Sequence, residues 1–130
     1  TAKATRERTG KTVLVVDDEP SVRMLVTEVL EEHGYGGIEA SDGPSGLRVL
    51  QSDARIDLLI TDVIMPEMNG RDLARRLLSL YPHLKRLFMS GYTADVIAHH
   101  GVLDEGVHFI QKPFSIEGLA AKVREVLDSE

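Results

Sequence analysis

The 130-residue sequence contains no cysteine. Disulfides and thiol chemistry are therefore excluded, which fits a reducing compartment. A basic excess is also missing: 15 Lys and Arg stand against 21 Asp and Glu, for a net charge of −6. That balance argues against non-specific nucleic-acid binding, which needs cations to meet phosphates. Aromatic residues make up 5% of the chain and follow no basic stripe, so base stacking has no support. Long hydrophobic runs are absent too. The apolar stretches are strand-sized, far below the ~20 residues of a membrane helix, and no membrane insertion is expected. Residues 1–11 are polar and basic with no apolar core, so they do not read as a signal peptide. They are expected to form a flexible lead-in or the end of a linker. A cytoplasmic location is the matching expectation.

What is present describes one ordinary globular domain, with 42% hydrophobic and 28% charged residues. Strand and helix patterns alternate five times, with no internal repeat. Short apolar runs at Thr12–Val16, Gly37–Ala40, Leu58–Thr61, Arg86–Met89 and Val107–Gln111 read as strands. Between them lie helical patterns. The first follows Pro20, with the apolar Val22, Leu25, Val26, Val29 and Leu30 recurring at helical spacing and Gly34 as a stop. Gly43–Gln51 predicts a short helix that buries Leu47 and Leu50, and Arg71–Leu80 one that buries Leu73 and Leu77. Residues 94–100 carry the poorest helical pattern. The last helix starts near the N-cap Ser115, with Ile116, Leu119, Ala120, Val123, Val126 and Leu127 on its apolar face. Such an order predicts an α/β fold, a parallel sheet flanked by helices, over residues 12–128.

Acids and one lysine stand at the ends of these runs. Val16 leads into Asp17 and Asp18, Thr61 into Asp62, and Gln111 into Lys112 and Pro113. In an open α/β sheet the ligand crevice lies beyond the carboxyl ends of the strands. Distant segments should therefore bring three carboxylates and an ammonium together. Two carboxylates ~4 Å apart repel by about 4 kcal/mol at an effective dielectric near 20, so a cation is expected among them. Hard oxygen donors suit Mg²⁺, with Mn²⁺ or Ca²⁺ as other fits. Asp62 is the candidate nucleophile, since a carboxylate can form an aspartyl phosphate. Lys112 would meet a phosphate oxygen as a compact point charge. Ser90, at the end of the fourth strand, could donate its hydroxyl to the same group. The bland alternatives are that Asp17 and Asp18 cap a helix turn, that Ser90 is a turn serine and that Lys112 is a surface lysine. Their coincidence at equivalent strand ends weakens all three.

These motifs, Val-Val-Asp17-Asp18-Glu, Asp62-Val-Ile-Met-Pro-Glu-Met-Asn-Gly, Met-Ser90-Gly-Tyr and Phe-Ile-Gln-Lys112-Pro-Phe, resemble the receiver domain of two-component response regulators. The resemblance covers residues 11–128 with every motif in order. It implies a flavodoxin-like, doubly wound (βα)5 sheet of strand order 2-1-3-4-5, a Mg²⁺ site and phosphoryl transfer from a histidine kinase or its phosphotransfer domain. By matched position, Asp62 is the implied phospho-acceptor. Asp18, Asp62 and the Ile64 carbonyl are the implied direct metal ligands, with Asp17 acting largely through water. Ser90 and Phe109 are the implied switch residues, and the Lys112–Pro113 bond is expected to be cis. Phe109 lacks the hydroxyl of the tyrosine often found there, and plain core packing is its alternative role. Ile64 stands beside the expected path of attacking water and should slow hydrolysis.

The family implies a domain that assists its own phosphorylation and dephosphorylation, not a stand-alone enzyme. The Met-Ser-Gly-Tyr-Thr and Lys-Pro-Phe-Ser runs are similar to receivers of hybrid sensor histidine kinases. No helix-turn-helix pattern follows Asp128, so no output domain is expected in this sequence. Two other classes compete. A haloacid-dehalogenase-type phosphatase would carry an acid two residues after its nucleophile, where Ile64 stands. A pseudo-receiver would be a constitutive protein-binding module, which the complete acid–lysine set disfavours. His99 and His100, adjacent on a helical pattern, point about 100° apart and do not suit a shared ion. Tyr92 could roof the site or meet a partner, with an exposed loop tyrosine as its plainer reading. The downstream partner is not legible.

Overall fold

A computed structural model describes residues 10–50, 55–63, 70–82, 84–91 and 108–128. Its five strands are β1 (Thr12–Val16), β2 (Gly36–Ala40), β3 (Leu58–Asp62), β4 (Lys85–Ser90) and β5 (His108–Gln111). The helices described are α1 (Pro20–Glu32), α2 (Gly43–Leu50), α3 (Gly70–Leu80) and α4 (Ile116–Asp128). All strand pairs are parallel, in the order β2-β1-β3-β4-β5. The expected sheet and its order are both present. The 94–100 pattern lies outside the described residues, as do Ile64, Tyr92, His99 and His100.

Period-two alternation explains the apolar runs. Along β1, Leu14 and Val16 enter one core with Leu59, Leu73, Leu77 and Phe88. Val13 and Val15 enter the opposite core with Val26, Leu30, Ile60, Leu119 and Val123. A central parallel strand is covered on both faces, so it has no polar side to display. Fully burying each such side chain contributes roughly 1.5–3 kcal/mol.

Local signals set the helix ends. Helix α1 begins at Pro20, whose missing N–H is not needed in a first turn. It ends at His33 and Gly34, the latter at φ 88°. The Tyr35 N–H reaches the Leu30 carbonyl (3.0 Å) and the Gly34 N–H that of Glu31 (3.1 Å), which closes a Schellman motif. Asp42 caps α2 by accepting the Ser45 N–H at 2.8 Å. Hydrogen bonds from the Ser45 side chain and backbone hold the Asp42 carboxyl below the usual carboxylate range. Ser115 caps α4, its hydroxyl accepting the Gly118 N–H at 2.9 Å.

Two apolar expectations are corrected. Leu25 is 40% exposed and Ile116 50% exposed. Leu25 lies at the Val29 edge of the buried line of Val26, Val29 and Leu30, and Thr27, at the other edge, is buried instead. Ile116 is the first residue of α4, so it has no preceding helical turn to pack against.

Candidate acid–lysine site at the carboxyl ends of the strands

The strand order changes direction between β1 and β3, since β2 lies outside β1 and the later strands build the other way. The crevice at such a point lies beyond the strand ends. Asp17 and Asp18 follow β1, Asp62 ends β3, and Lys112 follows β5. Parallel register levels these ends: Val16 pairs with Thr61, Asp62 with Met89, and Ser90 with Gln111.

Carboxylate oxygens of Asp17, Asp18 and Asp62 lie within 4.8 Å of one another. Asp17 is fully buried and Asp18 is exposed, so the cluster runs from the interior to solvent. The Lys112 Nζ donates to Asp17 Oδ2 at 3.1 Å and to Asp62 Oδ2 at 3.2 Å. Burial by itself would lower the Lys112 pKa. The Asp17 hydrogen bond and the charges of Asp62 and Asp17 outweigh it and hold the ammonium above its ordinary value of 10.5. The lysine neutralises one of three acids and leaves an excess of negative charge.

Hard oxygens alone make up this donor set, with no sulfur or imidazole. Oxygens bonded to one Mg²⁺ at about 2.0–2.1 Å lie at most about 4.2 Å apart. Oxygens within 4.8 Å of one another reach that spacing with small side-chain rotations. The acid set therefore fits a hard divalent cation.

Asp17 is held at every polar group. Its N–H donates to the Ala40 carbonyl (3.2 Å) and Oδ1 accepts the Glu19 N–H (2.9 Å). Its own carbonyl accepts Arg23 Nη1 at 2.7 Å. The turn-capping role expected as the plain alternative is thus real, but it occupies one oxygen while the other faces Lys112.

Ser90 is buried, and its carbonyl accepts the Lys112 N–H at 2.7 Å. The Lys112–Pro113 bond is cis, as expected. Phe109 is partly buried against the core that holds Phe88, its partner in the register. The geometry therefore unites Asp17, Asp18, Asp62 and Lys112, with Ser90 tied to them through the backbone, and sets Phe109 in the packing behind. Arg23 and Glu39 were not legible as part of this neighbourhood. The sequence signal is an arginine on a helix and an acid 16 residues later, and only the fold joins them.

Comparison with known proteins agrees with this geometry. The sequence model described as "Response regulator receiver domain" matches residues 13–124. The sensor kinase CckA of Brucella abortus is 38% identical over 129 residues, spanning 98% of this chain and 14% of that protein. The response regulator receiver protein CpdR of the same organism is 31% identical over 117 residues, 90% of this chain and 97% of that one. The chain thus corresponds to a small part of the first and nearly all of the second. Among solved structures, the receiver domain of the hybrid histidine kinase CckA has a TM-score of 0.77 at 35% identity, covering 90% of this chain and 99% of that one. TrrA from Thermotoga maritima, solved in complex with Mg²⁺-BeF, has a TM-score of 0.76 at 30% identity, covering 89% and 98%. No described helix is long and apolar enough to cross a membrane.

Proposed function

We propose a phosphorylation switch for this chain, which belongs to the response regulator receiver domain family. A phosphohistidine of a histidine kinase, or of its phosphotransfer domain, is the donor. An Asp62 carboxylate oxygen attacks the phosphorus. The new P–O bond forms as the P–N bond breaks, and its electron pair leaves with the imidazole. Likeness to a segment of a sensor kinase supports a donor of the hybrid-kinase class.

The observation that carries this reading is the Lys112 ammonium held by Asp17 Oδ2 and Asp62 Oδ2 at 3.1 and 3.2 Å, beside an exposed third acid. Asp17 and Asp18 with Asp62 would hold Mg²⁺, or Mn²⁺ in its place, and the Ile64 carbonyl would complete the protein's share. The ion, when bound, offsets the negative charge of the phosphoryl oxygens and the carboxylates. Lys112 supplies a second, mobile positive charge for a phosphoryl oxygen. Ser90 donates its hydroxyl to another. Phe109 then repacks behind them, and the altered surface changes affinity for a downstream protein. Phosphate selects one pre-existing conformation through these differential contacts.

Incubation with acetyl phosphate and Mg²⁺, read by intact mass, tests the proposal. Wild type should gain one phosphoryl group and Asp62→Asn none. A wild-type chain that gains nothing with Mg²⁺ present would instead be a constitutive binding module.

A further inference from the structure

We propose that Arg23 is a positioning residue for the cation site. Its guanidinium braces the Asp17 carbonyl against Glu39 of β2 and so sets the acid-bearing turn at the distance a cation needs. This inference rests on the reading of Asp17, Asp18 and Asp62 as the Mg²⁺ ligands.

Within the turn between β1 and α1, Asp17 Oδ1 accepts the Glu19 N–H at 2.9 Å. The N-cap residue, Glu19, makes no side-chain capping hydrogen bond. The chain is also held from outside the turn. Arg23 Nη1 donates to the Asp17 carbonyl at 2.7 Å, while its Nε pairs with Glu39 Oε1 at 3.1 Å. One planar side chain thereby ties the end of β1 to β2 through two separate donors. Lysine has no such rigid fork. The arginine side chain is only 17% exposed, so its place is not that of a mobile surface cation.

Close packing of α1 on β2 gives Arg23 this reach. A Cβ on Gly37 would lie 2.8 Å from Thr27 Cγ2, so a side chain there would force the helix away from the strand. The Thr27 hydroxyl in turn donates to the Arg23 carbonyl at 2.9 Å. Gly37, Thr27 and Glu39 thus fix where the guanidinium stands. Glu39 has a second effect: it offsets the guanidinium charge, which would otherwise repel a cation bound nearby.

The sign of the effect separates this brace from other roles. Loss of a positive charge, acting through the field alone, should tighten Mg²⁺ binding. Loss of the brace should weaken it, because outer groups that orient metal ligands typically change affinity about 10–100-fold. Mg²⁺ affinity of the unphosphorylated chain, measured by calorimetry with circular dichroism as the folding control, reads the difference. Arg23→Gln and Arg23→Lys should each weaken Mg²⁺ about tenfold or more. Glu39→Gln should weaken it less, and the Arg23→Gln/Glu39→Gln pair should be no worse than Arg23→Gln alone. Tighter or unchanged Mg²⁺ binding in folded Arg23 variants overturns the brace while leaving the metal reading intact. A wild-type chain that binds no Mg²⁺ defeats the metal reading, and the brace with it. If Arg23→Gln does not fold, Arg23→Lys, which keeps the charge but loses the fork, decides alone. Wild-type affinity in that variant overturns the proposal.

Discussion

At the amino end of the sheet, charged side chains meet backbone groups; at the carboxyl end they meet one another. Below β1, Asp57 Oδ2 accepts the Thr12 N–H at 2.8 Å and the Asp57 N–H returns to the Thr12 carbonyl at 2.8 Å. Nearby, Lys85 donates to the Leu127 carbonyl in the last turn of α4, where helix carbonyls lack intrahelical donors. A groove of about 340 Å³ opens between these groups, lined in part by Lys11, Asp57, Tyr81 and Lys85. Above the sheet, two of three clustered carboxylates hold one ammonium. The same residue types serve at both ends. What distinguishes the carboxyl end is its excess of negative charge, not available space.

The largest test of that contrast is chemical. Asp62→Asn should abolish phosphoryl uptake from acetyl phosphate, whereas Asp57→Asn should leave it intact by the same mass measurement. Uptake lost equally in both would erase the distinction. Next comes Lys112→Met. Breaking a fully buried ion pair costs about 3–5 kcal/mol, and partial exposure of this lysine should reduce the loss to roughly 2–3 kcal/mol in urea unfolding at neutral pH. Because the folded pKa of Lys112 is raised, its contribution is complete below about 10.5 and fades as pH rises through the higher folded value. The gap in stability between wild type and Lys112→Met should therefore narrow only in strong alkali.

A smaller effect belongs to the amino end. Asp57→Ala should cost about 1–2 kcal/mol of stability by leaving the Thr12 N–H without its acceptor, with Mg²⁺ binding unchanged. Mg²⁺ at about ten times its Kd should stabilise wild type by about 1.4 kcal/mol, and Asp57→Ala by the same increment. That equality would sharpen the separation of the two ends. His108 gives the smallest change. Partial burial, then the charges of Lys122, Lys85 and Arg86, lower its pKa against the opposing pull of Glu125. The unfolded chain thus takes up this proton first, and stability falls as pH drops through 6.5 toward the lower folded value. His108→Gln should flatten that part of a pH–stability curve.

Much of this architecture was legible because buried parallel strands leave continuous apolar runs. Strand boundaries inferred from β1, β3 and β4 fall within a residue of those observed, and the same runs pointed to Asp17, Asp62 and Lys112. Strand order was different in kind: it came from resemblance, since no periodicity states which strands are neighbours. Leu25 and Ile116 were misread because hydrophobic spacing marks a helix face without marking which residues at its edge or first turn find a packing partner. Asp42 and Asp57 were passed over because backbone bonds of single acids resemble ordinary surface chemistry. The Arg23–Glu39 pair was hidden for a plainer reason: a side-chain bond between a helix and the next strand depends on packing distance, which here turns on Gly37.

One backbone bond has a mechanical meaning. The Lys112 N–H is fastened to the Ser90 carbonyl at 2.7 Å. The ammonium-bearing and hydroxyl-bearing segments are therefore stitched at neighbouring atoms along a single seam. Whatever pulls the Lys112 main chain pulls the tip of β4 with it, so the two segments move as one jaw and not as independent fingers.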